Sequence, residues 1–120
     1  SDVGSSELQR RGLQNLLEGW RVARASGDLN RLLAFYSQQF SSGTKDLPQF
    51  RQQLERDIQM QRGKVVQLKD LSILSWKDKS DILVVTFGEV GEGQRTGAIK
   101  RQYWGKEGGL WKIFFEGVIG

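Results

Sequence analysis

The hydrophobic period of this chain changes once, at Gly63. Before it, apolar residues recur every three or four positions, as on one face of a helix; after it they alternate, as on one face of a strand. Helices gathered in the first half and strands in the second leave no alternation of strand and helix from which to build a parallel sheet. The pattern predicts an α+β domain, three N-terminal helices packed on a curved, mainly antiparallel sheet of four long strands. A short extra strand after Phe40 is allowed. With 120 residues, 38% of them apolar, there is material for one core.

The elements follow from local signals. Residues 1–6 read as a linker or tail, and 7–119 as a single domain. Ser6 with Gln9 forms a capping-box start. Leu13, Leu16, Leu17, Trp20 and Ala23 then give one amphipathic helix over 7–26. Gly12 and Gly19 on its side predict close approach of another backbone. Asp28 caps a second helix at 29–37. Asp46 caps a third, with Pro48 in its first turn and an apolar stripe of Leu47, Phe50, Leu54 and Ile58; Gly63 ends it. Strand 64–76 slips parity between Leu68 and Leu71, which predicts a bulge near Lys69-Asp70. Residues 77–80 read as a turn, 82–90 as a central strand, and 91–94 as a hairpin loop. Two further strands, 95–106 and 110–119, flank the turn Glu107-Gly108-Gly109. In the last strand, strict alternation puts Glu116 on one face with Leu110, Lys112 and Phe114.

Composition removes whole classes of chemistry. Cys and His are both absent, which excludes Cys/His zinc sites, thiol nucleophiles and disulfide scaffolds. No cluster of carboxylates suggests a metal, and no cofactor is called for. The net charge of +4 is spread evenly, with nine basic and seven acidic residues in 1–62 and the same in 63–120. Evenly mixed charge is a solvated surface, so no nucleic-acid partner is expected. No run of 18 apolar residues exists in the sequence, so no membrane-spanning helix is expected. The chain begins with Ser rather than Met, so it is expected to be an excised domain or a processed product.

The spacing Trp20-x7-Asp28-x7-Tyr36-x3-Phe40, followed by a bent meander, resembles the nuclear transport factor 2-like fold, also called SnoaL-like or cystatin-like. The closing stretch from Lys100 to Gly117, with its Lys-bearing strand, glycine turn and Trp111-x-Ile113-x-x-Glu116 strand, is similar to the C-terminal accessory domain of bacterial L,D-transpeptidase-family envelope proteins. One departure stands out: where that pattern often has a Trp and an Arg four apart on the third helix, this chain has Phe50 and Leu54. The resemblance implies a cone-shaped domain with a pocket between sheet and helices, in the periplasm or cell envelope. It implies no transpeptidase chemistry here, since that reaction uses a Cys with a His.

Trp20, Tyr36, Phe50, Asp57, Lys100 and Glu116 are the pocket or ligand candidates. Asp57 sits at the edge of the third helix's apolar stripe. Glu116 is expected to pair with Lys100 across the strands or with Lys112. Trp76, Tyr103 and Trp104 are interface candidates, because Tyr103 and Trp104 point to opposite sheet faces and one must leave the helix-covered side. Three functions compete. The first is a non-catalytic accessory domain that positions its parent on peptidoglycan or an envelope partner, or binds a small ligand. The second is a small-pocket isomerase, dehydratase or hydrolase using a carboxylate and Tyr. The third is a homodimer formed through the sheet.

Overall fold

The computed structural model describes residues 2–76 and 79–120, and the side chains of 7–76 and 81–120. In chain order it contains α1 (Asp2–Ser26), α2 (Leu29–Leu33), β1 (Ser41–Ser42), β2 (Lys45–Asp46), α3 (Leu47–Gln61), β3 (Val66–Trp76), β4 (Lys79–Gly91), β5 (Ile99–Glu107) and β6 (Leu110–Val118). The four long strands form one antiparallel sheet in the order β3-β4-β5-β6, and β1 pairs with β2 in a separate ribbon. The core lies between one sheet face and the helices. Leu13, Leu17 and Trp20 of α1 and Phe50, Leu54 and Ile58 of α3 meet Leu83, Val85 and Phe87 of β4 and Trp104 and Ile113 beyond them.

The helices are not an N-terminal trio. One long helix dominates, α2 is little more than a turn, and the β1–β2 ribbon separates it from α3. The helix α1 also extends back to Asp2, so it begins before the start read at Ser6. Helix α2 stops at Leu33 rather than residue 37. Phe35 and Tyr36 donate their N–H groups three residues back, to Leu32 and Leu33, and the chain then joins the edge of β6. There Ile113 donates to the Phe35 carbonyl (2.8 Å) and Ser37 donates to the Ile113 carbonyl (2.9 Å). Tyr36 is thereby fixed to the sheet instead of completing a helical turn.

The third helix begins as expected: the Asp46 side chain accepts from the Gln49 N–H, and the Gln49 side chain accepts from the Asp46 N–H. The two helix glycines differ. Gly19 faces the Phe35 ring, which would lie 3.2 Å from a Cβ placed on it, whereas Gly12 is exposed and a Cβ there would meet no atom within 4 Å.

Among the described residues the register shifts at three places; beside the one at Ser75/Trp76, two bulges shape the sheet. Between Lys69 and Ser72 the register with β4 shifts by one, and Asp70 takes φ 54°. This is the slip read from the alternation. The second, between β5 and β6, is hidden in the sequence. Tyr103 pairs with Phe115 but Trp104 pairs with Ile113, so Phe114 is the extra residue. Strict alternation therefore fails, and Ile113 and Glu116 both point into the core. Glu116 does not share a face with Lys112. The strand expected at 95–106 begins at Ile99. Residues 92–98 fold back on β4 instead, where Glu89 donates its N–H to the Ala98 carbonyl (2.8 Å). Of the turn read at 77–80, Lys77 and Asp78 lie outside the described residues, and Lys79 and Ser80 belong to β4.

Candidate functional site

The inward face of the sheet is not uniformly apolar. On β4 the inward series Leu83, Val85, Phe87 ends in Glu89; on β5 it runs Lys100, Gln102, Trp104; on β6 it ends in Glu116. Opposite them, α1 presents Trp20 and, one turn on, Arg24. Charges taken from water need partners, and these groups find them in two connected clusters.

The first is ionic. Glu89 accepts from Arg24 Nε through Oε2 (2.6 Å) and pairs with Lys100 Nζ through Oε1 (2.5 Å). All three side chains are at most 10% exposed. Burial alone would lower the Arg24 pKa, but the charges of Glu89 and then Glu116 outweigh it and leave the guanidinium above its ordinary range. Arg24 and Lys100 also lie near the Trp20 ring, at 5.8 and 6.0 Å from its centroid.

The second is a chain of neutral donors around one carboxylate. Trp20 Nε1 donates to the Tyr36 hydroxyl (3.1 Å), which donates to Glu116 Oε1 (2.9 Å). Gln102 Nε2 donates to the same oxygen (2.6 Å), and Trp104 Nε1 donates to Gln102 Oε1 (2.9 Å). Burial, and then the Glu116 charge, push the Tyr36 phenol well above its usual range. The hydroxyl keeps its proton and spends it on Glu116.

A cavity of about 720 Å³ opens onto the first cluster and not the second. Arg24, Glu89 and Lys100 form its buried floor. Met60, Val65, Val66 and Ala98 supply apolar wall, and Asp57, Lys64 and Glu92 stand among its charged lining. Gly97 and Ala98 of the folded-back loop close one side. Among the described residues no three carboxylates come together as a metal site, and no helix is long and apolar enough to cross a membrane.

Residues 12–117 match the family model of the Cds6 C-terminal NTF2-like domain. The chain belongs to that family. Solved structures share the fold. They include Bd1075 of Bdellovibrio bacteriovorus (TM-score 0.72, 21% identity, 91% of this chain and 39% of that one). They also include an NTF2-like protein of unknown function from Pseudomonas putida (0.69, 18%, 97% and 85%). A third is the helical cell shape determining protein Pgp2 of Campylobacter jejuni (0.67, 22%, 84% and 38%). The chain thus spans well under half the length of Bd1075 and of Pgp2. No curated protein matches the sequence.

In this NTF2-like domain the residues singled out from sequence fall into separate places. Asp57 and Lys100 line the cavity. Trp20, Tyr36 and Glu116 form the sealed network behind it. Phe50 is core, packed on Phe40 and Tyr36 at 4.5 and 5.7 Å between centroids. Lys100 pairs with Glu89 and not with Glu116, and Lys112 donates to the Ala34 carbonyl. Trp104 is 0% exposed on the helix-covered face, so it is no interface residue. Tyr103 lies on the opposite face, in ring contact with Trp76 (5.6 Å) and Phe115 (5.0 Å). Arg24, Glu89 and Gln102 are missed by the sequence reading, although their positions carry the signal. Arg24 follows the Leu13, Leu17, Trp20 stripe by one turn. Glu89 and Gln102 sit on the inward parity of their strands.

Proposed function

We propose that this domain is a non-catalytic binding module of a cell-envelope protein related to L,D-transpeptidases, and that it takes a peptidoglycan fragment or another small ligand in the cavity. The observation that carries the reading is the arrangement of buried charge. Two cations and one carboxylate face the cavity, while the Tyr36–Glu116 pair that an isomerase-type mechanism would use lies outside it. A general base must reach the proton it removes, and Glu116 is already occupied by Tyr36 and Gln102. The envelope setting is supported by the closing Trp111-x-Ile113-x-x-Glu116 strand. It is also supported by the similarity to part of Pgp2, whose name ties it to cell shape. Transpeptidase chemistry, needing Cys and His, would belong to another domain of the parent. The test is a heteronuclear NMR titration with soluble peptidoglycan fragments. Shifts are expected at Arg24, Lys64, Val65 and Ala98, which line the cavity. Shifts confined to the opposite sheet face, or none at saturating fragment, overturn the reading.

A second reading concerns that opposite face. Trp76, Tyr103 and Phe115 form a continuous aromatic run on β3, β5 and β6, and exposed Leu74 extends it. Such a patch suits pairing of two copies of the chain. In sedimentation the chain is expected to behave as a dimer that Tyr103→Lys converts to a folded monomer. A wild-type chain that stays monomeric at high concentration sinks this reading.

A further inference from the structure

We propose that Glu89 sets the charge class of the ligand, so that the cavity accepts a singly charged anion, a carboxylate, and turns away dianions. This rests on the binding reading above and names what that site selects. Glu89 spends both oxygens on the floor cations, Oε2 on Arg24 and Oε1 on Lys100. It does not saturate them. Glu89 is met by Arg24 Nε and Nη2, and by a single bond from Lys100 Nζ. Arg24 Nη1 and two Lys100 hydrogens are therefore left to serve an incoming oxygen.

The floor sums to one positive charge. A monocarboxylate brings that sum to zero, whereas a dianion leaves an excess negative charge in a poorly solvated site, which is costly. Farther out, Asp57 and Glu92 against Lys64 add a negative excess that opposes a second ligand charge. Met60, Val65, Val66 and Ala98 favour an apolar body behind a single charged end. Glu116, the other carboxylate whose charge Arg24 feels, lines no part of the cavity; its Oε1 accepts from Tyr36 and Gln102. Position, and not only total charge, distinguishes Glu89.

The experiment uses two probes of nearly equal size, butyrate and succinate, at pH 7.5 and fixed ionic strength. The Kd of each is read from the backbone amide shifts of Val65 and Ala98, which line the cavity. The wild-type chain is expected to prefer butyrate by about tenfold or more. Glu89→Gln, which raises the floor to two positive charges and keeps an acceptor, is expected to reverse the preference. Glu89→Gln with Lys100→Gln returns the floor to one charge and should restore it. Glu116→Gln, with the same net change outside the cavity, should leave it as in wild type. An unchanged preference in Glu89→Gln overturns the proposal, and so does an equal reversal in Glu116→Gln. If Glu89→Gln fails to fold, Lys100→Gln carries the test, and butyrate binding must fall about tenfold or more. Binding of neither probe by any folded variant also overturns the charge selection. The peptidoglycan titration then decides separately whether the cavity binds at all.

Discussion

Trp104→Ala is expected to cost about 3–5 kcal/mol of unfolding free energy, the range for removing a fully buried indole from a packed core. Two effects add. The ring is 0% exposed and meets Phe35 edge-on at 6.5 Å between centroids, so its loss leaves a hole that the rigid sheet beneath cannot close. Its N–H also leaves Gln102 Oε1 without its donor in a dry site. Gln102 holds Glu116, and Glu116 holds Tyr36, so the defect spreads along the buried chain of hydrogen bonds toward α1. For a domain whose total stability is of order 5–15 kcal/mol, thermal unfolding followed by circular dichroism should drop by about 10–25 °C. A loss below about 1 kcal/mol, as for a surface residue, would be incompatible with this placement of Trp104. Tyr103→Lys on the same strand provides the contrast: it should change the association state and leave the melting of the monomer nearly untouched.

That contrast marks where sequence reasoning reaches and where it stops. Alternation establishes that Tyr103 and Trp104 part company, because side chains on a strand alternate without exception between bulges. It cannot say which face the helices cover, since both residues are aromatic and suit either side. The bulge at Lys69–Asp70 is legible because the apolar residues themselves change parity there. The one at Phe114 is not, because Phe114 and Phe115 are both apolar, and a slip between identical residues leaves no trace in the pattern. Misplacing Glu116 on the face with Lys112 follows directly, and with it the wrong choice of ion-pair partner. The Asp46 cap, the Gly63 stop and the placing of the four long strands after the helices rest on short-range chemistry, and each stands in the fold. The β1–β2 ribbon, four residues built on serine, lysine and aspartate, has no periodicity to detect. The cavity floor could have been found from sequence. A carboxylate on the inward parity of β4, a lysine on that of β5 and an arginine one turn beyond Trp20 are three charges aimed at one core, and such charges must meet one another.

Gly97→Ala is expected to be nearly as damaging as the tryptophan change, though Gly97 is exposed and outside every regular element. A Cβ there would collide with the Glu89 carbonyl oxygen and sit 2.8 Å from its carbonyl carbon. Both are backbone atoms of the sheet, so no side-chain rotation relieves the clash. Gly97 does not occupy the left-handed region; its requirement is space, not backbone freedom. The loop must therefore lift from β4. Lifting it breaks the Glu89 N–H bond to the Ala98 carbonyl and withdraws one side of the cavity. Glu89 then loses the support that aims it at Arg24 and Lys100, two buried cations whose desolvation it offsets. The expected loss is about 2–4 kcal/mol in urea unfolding, drawn from steric overpacking and a weakened buried ion cluster. Hydrogen exchange should localise it, with the Glu89 amide losing protection while the Leu83 and Val85 amides keep theirs. Gly12→Ala serves as the opposite control. Gly12 lies in α1, where an added Cβ meets no atom within 4 Å, so alanine there should stabilise the chain by about 1 kcal/mol through helix propensity alone. If Gly97→Ala proved as harmless as Gly12→Ala, the loop would not lie against β4, and the cavity would lose the wall that makes it a pocket.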